Sequence, residues 1–314
     1  MPAMNTAATA LANSSFRASW LDHARKHPFT AAGLLLAGGL VLLLLVQSVV
    51  SLFAGVAAPG VRQGMLAGLA GFATTALGAA SGLVLRNVGQ KAEDCMLGFA
   101  AGMMLAASSF SLILPGIAAA ETLTGSGVLG ALVVAGGLGL GVLLMLGLDQ
   151  FTPHTHESCG DCGPGAERLN RVWLFVLAIT LHNLPEGMAM GVGFARGDVS
   201  VGLPLATAIA IQDIPEGLAV VMALRAAGVG NLRAVLLAML SGLMEPLGAV
   251  LGLGLAGGFA LAYPVGLGLA AGAMIFVVSH EVIPETHRNG HQTPATLGLM
   301  AGFVLMMVLD TALG

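Results

Sequence analysis

The sequence predicts an all-α polytopic membrane protein, an eight-helix bundle preceded by one extra N-terminal transmembrane helix. Three observations lead there. Of 314 residues, 56% are hydrophobic and 9% charged, with a mean hydropathy of +0.90. Soluble domains carry about 25% charged residues, so polar groups could not cover this surface. Apolar runs of span length recur along the whole chain, and about 20 such residues cross a bilayer as a helix. The 46 glycines sit inside Leu/Ala/Val runs, at about 15% against a usual share of about 7%. Small residues let helices approach closely in lipid, where tails compete with Leu for packing. A collagen, a coiled coil, a nucleic-acid binder and a cytosolic enzyme are excluded. The net charge of −4 singles out no partner.

The gaps between charges predict nine spans, at 30–56, 63–85, 95–118, 126–148, 171–194, 201–224, 233–257, 260–282 and 294–312. The first is free of charge from Phe29 to Val61, far longer than the 7–15 residues of a removable signal peptide. A transmembrane β-barrel would show short alternating segments, whereas these runs are continuously apolar. The chain divides into an N-terminal segment 1–29, the extra helix within 30–62, and an eight-helix domain 63–314 with a long loop at 149–170. Arg17, Arg25, Lys26, Arg86, Lys91, Arg168, Arg171, Arg225, Arg233 and Arg288 fall on one side, and only Arg62 and Arg196 on the other. Positive residues stay inside, so the N-terminus and the long loop are expected in the cytoplasm and the C-terminus outside. GxxxG pairs at Gly64/Gly68, Gly137/Gly141, Gly248/Gly252, Gly268/Gly272 and Gly298/Gly302 are read as tight helix seams.

Ionisable groups near a bilayer centre cost roughly 2.5–3.5 kcal/mol each, and this chain places several there. The fifth span reads LHNLPEGMAM, with His182, Asn183 and Glu186; the sixth reads IQDIPEGLAV, with Gln212, Asp213 and Glu216; the seventh contributes Glu245. His182 lies about 16 Å from its span end at about 1.5 Å per residue. The H-N-L-P-E-G and Q-D-I-P-E-G segments are near copies thirty residues apart. His182 and Glu186 are i,i+4 on one face, as are Gln212 and Glu216. Each internal proline removes a donor and is expected to kink its helix, exposing a carbonyl near Leu181 and Ile211. Apart from Arg171 and Arg233 at span starts, no Lys or Arg lies inside any span, so the four acids need protons or a bound cation. Imidazole with carboxylates suits Zn²⁺, Fe²⁺, Mn²⁺ or Cd²⁺ better than Mg²⁺ or Na⁺. Met104 in the third span could add a thioether, with Ser108 and Ser111 continuing a polar stripe.

At these residues the sequence resembles the ZIP (Zrt-, Irt-like) family of divalent metal transporters, of bacterial type. The resemblance runs from about residue 63 to the end, on the fifth-span H-N-x-P-E-G, the sixth-span D-x-P-E-G, the seventh-span E-P and the eighth-span S-H-E-V-I-P-E. It implies import of Zn²⁺, also Cd²⁺ and Fe²⁺ or Mn²⁺, as transported substrate, with no organic cofactor. It further implies a homodimer in the plasma membrane, here a bacterial inner membrane. Carried over by motif position, the ligands are His182, Asn183, Glu186, Gln212, Asp213, Glu216 and Glu245, with Met104 proposed alongside them. A two-metal site would join Met104, His182 and Gln212 on one ion and Asn183, Asp213 and Glu245 on the other, bridged by Glu186 and Glu216. Many eukaryotic members carry H-E-x-P-H-E in the sixth span, where this chain has Ile211-Gln212-Asp213-Ile214-Pro215-Glu216. Gln and Asp make the site harder and weaken strict zinc selectivity. The first span is additional to the family's eight.

Two further donor groups stand outside the midplane. The eighth span ends SHEVIPETHR, giving His280, Glu281, Glu285 and His287, followed by His291. They are read either as an exit station or as an ordinary polar helix end. The long loop carries His154, His156, Cys159 and Cys162, enough for one tetrahedral zinc. Asp149 and Asp310, at span ends, are expected to be exposed, and Cys95 to serve packing. The rival readings are an intramembrane metalloenzyme with zinc at His182/Glu186, a metal sensor, and a proton-coupled carrier of an organic substrate. No separate nucleophile or general-base motif accompanies the candidate ligands, and H-E-x-x-H is absent.

Overall fold

The computed structural model describes residues 21–53, 60–85, 88–151, 154–156, 160–162, 171–256 and 260–313. Every expected span has its helix. They are α1 (Pro28–Phe53), α2 (Val61–Ser81), α3 (Gln90–Ala107) running on into α4 (Leu114–Thr124), α5 (Gly127–Phe151), α6 (Arg171–Phe194), α7 (Val199–Ala226), α8 (Asn231–Ser241) with α9 (Met244–Ala256), α10 (Ala262–Val277) running on into α11 (Ile283–His287), and α12 (Gln292–Leu313). Among the described residues, seven of these helical units are long and apolar enough to cross a membrane. The other two, α1 and α6, are helical over 26 and 24 residues. In the loop between α5 and α6, β1 (His154–His156) and β2 (Gly160–Cys162) form a short antiparallel ladder that sets His154 opposite Cys162.

The distribution of side chains is that of a membrane protein. Leu35, Leu42, Leu66, Leu132, Leu236 and Leu297 face outward, while Asn183, Glu186, Gln212, Asp213 and Glu245 are buried. A water-soluble fold with this arrangement would expose apolar surface far beyond the few hundred Å² normally tolerated.

Three features depart from the expected regular spans. The seventh is broken: α8 ends at Ser241 with Gly242 as its cap, and α9 restarts at Met244. Pro246 explains the position, since a proline has no N–H to donate and is at home in the first turn of a new helix. The break sets Glu245 in that first turn, where free backbone N–H groups favour a negative charge. Conversely, α6 and α7 remain helical through Pro185 and Pro215. Two other spans carry π-helical segments, at Ser108–Ile113 and Val278–Val282. Each runs into a helix with a proline, Pro115 or Pro284, in its first turn, where the missing N–H leaves a carbonyl that a wider turn can accommodate.

The glycine seams are intramolecular. A Cβ on Gly187 or Gly191 of α6 would strike the α9 carbonyls of Glu245 or Ala249, and one on Gly248 or Gly252 of α9 would strike Leu184 or Met188 of α6. The same backbone-to-backbone approach joins α2 to α7 at Gly78 and Gly217, α5 to α10 at Gly141 and Gly272, and α3 to α12 at Gly102 and Gly302. Gly64 and Gly68 of α2 receive Leu253 and Ala249 of α9. The helices α2, α6, α7 and α9 therefore form one closely joined group, with α3 and α10 packed along its flank.

Candidate metal centre

Three helices of that group carry the midplane acids. The carboxylates of Glu186 on α6 and of Asp213 and Glu216 on α7 offer oxygens that all lie within 4.8 Å of one another. Glu186 and Asp213 are fully buried and Glu216 is half-buried. Glu245, on α9, is completely buried and repels both Glu186 and Asp213. Four acids thus crowd a site whose helices hold no Lys or Arg near its depth. Anionic oxygens without countercharge in a dry interior are strongly unfavourable, and either protons or a divalent cation would relieve them.

Neutral groups fix the orientation of this cluster. The Gln212 amide donates to Glu186 Oε1 at 2.6 Å, which turns its own carbonyl oxygen into a buried atom with no hydrogen-bond partner among the described residues. The Thr75 hydroxyl donates to Glu245 Oε1, and Glu245 Oε2 is likewise buried without a partner. The Thr74 hydroxyl, which also contacts the Gly71 carbonyl, lies 3.2 Å from Asp213 Oδ2. Gly71 completes the cradle, because the space its Cβ would fill is taken by Glu245 Oε2. Two unpartnered oxygens, of Gln212 and Glu245, are acceptors of the kind that a hard or borderline cation takes.

The other expected ligands are placed less centrally. Asn183 is buried next to His182 on α6. The His182 ring faces Glu216 electrostatically and approaches Glu281 of the second π segment at 3.4 Å. It therefore connects the acid cluster to the eighth span. Met104 is buried in the core of α3, which packs along α7. Ser108 and Ser111 offer no free stripe: Ser108 donates to the Met104 carbonyl at 2.8 Å and Ser111 to Asp310 Oδ1 at 2.6 Å.

The eighth-span group divides. His280 and Glu281 lie on the π segment, His280 stacked on Phe276 and 3.7 Å from Asp149 Oδ2. Glu285 instead pairs with Arg288 at 2.9 Å, and His287 Nδ1 is taken up by the Ile283 carbonyl and the Thr286 hydroxyl. His291 bonds to Asp94 Oδ2 at 2.8 Å. Asp149 and Asp310 are not the exposed span ends expected: Asp149 is buried and Asp310 half-buried, because the π segments carry His280 and Ser111 around to them. Cys95 packs against Gly298. Of the loop donors, His154, His156 and Cys162 lie on the β1–β2 ladder and Cys159 falls outside the described residues.

Sequence reasoning missed Thr74, Thr75 and Gly71, and it missed Asp94 and Asn289, which cluster with His291. The adjacent threonines inside an otherwise apolar second span were a usable signal. Asp94 was not, since its burial depends on the turn before α12 folding over the start of α3.

Comparison with known proteins places the chain in a family. The family model described as ZIP zinc transporter matches residues 149–310. The chain is 63% identical over 301 residues to the zinc transporter ZIPB of Bordetella bronchiseptica, covering 96% of this chain and 97% of that one. The chain belongs to the ZIP family. It is also 45% identical over 252 residues to the zinc transporter GufA of Myxococcus xanthus, covering 80% and 99% of the two chains. With the zinc transporter ZIP11 of Homo sapiens it shares 32% identity over 338 residues, covering 81% and 98%. These relatives are membrane transporters rather than enzymes, and the metalloenzyme reading falls with that.

Proposed function

We propose that this ZIP-family chain carries Zn²⁺, and the related ions Cd²⁺, Fe²⁺ and Mn²⁺, across the membrane into the cytoplasm through the α6/α7/α9 site. The observation that carries the reading is the close set of Glu186, Asp213 and Glu216 oxygens, in helices whose interior holds no Lys or Arg. The names of the relatives support zinc as cargo. His182, Asn183, Gln212, Glu245 and Met104 complete the donor set. The number of carboxylates suits two ions, with Glu186 and Glu216 bridging. The protein works as a homodimer in a bacterial inner membrane, N-terminus and 149–170 loop inside and C-terminus outside.

The motion is alternating access. Backbone contacts at glycines join α2, α6, α7 and α9 into one unit, which is suited to move as a body. Across its boundary with α10 the glycine contact is of another kind: a Cβ at Gly266 would meet side-chain atoms, the Val192 methyl groups at 3.5 Å and the Ala256 Cβ at 3.9 Å. Such side-chain contact can slide without breaking backbone packing. Cargo must be held strongly enough to lose water and weakly enough to leave, and proton exchange at Glu186 or Glu216 assists release. His280, Glu281 and Asp149 then form the inner station.

The test is Zn²⁺ or Cd²⁺ uptake into proteoliposomes, comparing the native chain with His182→Ala and Glu216→Ala. Uptake abolished in both variants is the expected result. Folded variants that transport normally would overturn the site assignment, and binding without flux in the native chain would overturn the transport reading.

A further inference from the structure

We propose that His23 and His27 form a divalent-metal site where the N-terminal helical segment meets the base of the 149–170 loop. The two histidines are i,i+4 on a helical backbone, with His27 N donating to the His23 carbonyl at 3.0 Å and Ala31 N to that of His27 at 3.0 Å. Their rings stand side by side, with centroids 4.6 Å apart, the arrangement from which two imidazoles on one helix face reach a common ion. The His23 ring is fixed at the end of α5: it meets Phe151 edge-on at 5.2 Å and hydrogen-bonds the Gln150 backbone carbonyl.

That carbonyl bond has a chemical consequence. Metal-binding histidines typically donate one ring N–H to a carbonyl or carboxylate, which fixes the tautomer and leaves the other nitrogen's lone pair for the ion. Here His23 Nε2 is buried and has no hydrogen-bond partner among the described residues, and the same holds for the side-chain oxygen of Gln150. Burial, with the neighbouring His27 next in effect, pushes the His23 pKa down from its ordinary value. Metal binds the neutral form of the ring. The nearby Lys26 is engaged with Asp22 at 2.6 Å. Two imidazoles select a borderline cation such as Zn²⁺ or Cd²⁺ over Mg²⁺ or Ca²⁺. The site stands on these residues whether or not the midplane cluster carries cargo.

The experiment is Zn²⁺ equilibrium dialysis on the purified full chain at pH 7, in a background with His154→Gln, His156→Gln, C159S and C162S. Adding His23→Gln with His27→Gln is expected to remove one equivalent of Zn²⁺ per chain and leave proteoliposome uptake unchanged. An unchanged stoichiometry would overturn the proposal. A second measurement uses His27→Cys in the same background with Cd²⁺, read by the thiolate-to-cadmium charge-transfer band. Adding His23→Gln should weaken that binding about tenfold; equal affinity with and without His23 would show that the two positions do not share an ion.

Discussion

Glu245 and Gly71 occupy each other's space: one carboxylate oxygen of Glu245 sits where a side chain at Gly71 would begin. The contact ties α2 to the first turn of α9 and makes glycine a requirement at position 71. Gly71→Ala should push the carboxylate out of the acid cluster. Zn²⁺ uptake is expected to fall at least tenfold, while Gly89→Ala, where nothing lies within 4 Å, leaves uptake unchanged. The comparison is made in proteoliposomes at matched protein content.

Thr75 holds Glu245 without itself contacting cargo. Thr75→Val keeps the volume and removes the hydroxyl that donates to Glu245 Oε1. Loss of a bond that orients a metal ligand typically costs 10- to 100-fold in affinity or activity, and that is the expected drop in Zn²⁺ affinity by calorimetry. Thr75→Ser retains the donor and should stay within a few-fold of the native chain.

The α6–α9 seam should resist even one added methyl group. A Cβ on Gly187 or Gly252 meets backbone carbonyls of the facing helix, which cannot rotate away. Overpacking of this kind costs about 1–3 kcal/mol, so Gly187→Ala and Gly252→Ala should lower the thermal midpoint by several degrees. Gly266→Ala meets Val192 methyl groups at ordinary van der Waals distance and should melt like the native protein.

Asp94 is buried and bonded by both Asn289 Nδ2, at 3.0 Å, and His291, at 2.8 Å. Asp94→Ala would remove both bonds and leave partners that water can reach, a loss of about 0.5–1.5 kcal/mol for each bond. Thermal unfolding should show the decrease, with faster proteolysis in the 288–291 turn. Asp94→Asn keeps the shape and part of the bonding, and its midpoint should lie between the two.

Much of this protein could be read along the chain because the bilayer simplifies the code. Lipid forces each span to satisfy its backbone internally, so nine apolar runs predict nine helices, and an acid inside one is conspicuous. His182, Glu186, Asp213, Glu216 and Glu245 were legible for that reason: each interrupts an otherwise apolar run. The glycine seams were legible as seams, since close approach in lipid needs small residues.

The tertiary structure decided which groups share a place. Nothing in the spacing of the second span assigns Thr74 to Asp213 or Thr75 to Glu245; those pairings exist because Gly78 and Gly217 bring α2 against α7 and Gly68 brings it against α9. The break before Glu245 and the two π segments likewise arise where a proline's missing N–H is accommodated. These irregular turns carry Glu281 to His182 and Ser111 to Asp310. A local pattern specifies periodicity and polarity. The partner of each polar group depends on how far and at what rotation one helix meets the next, and that is set by packing across the whole bundle.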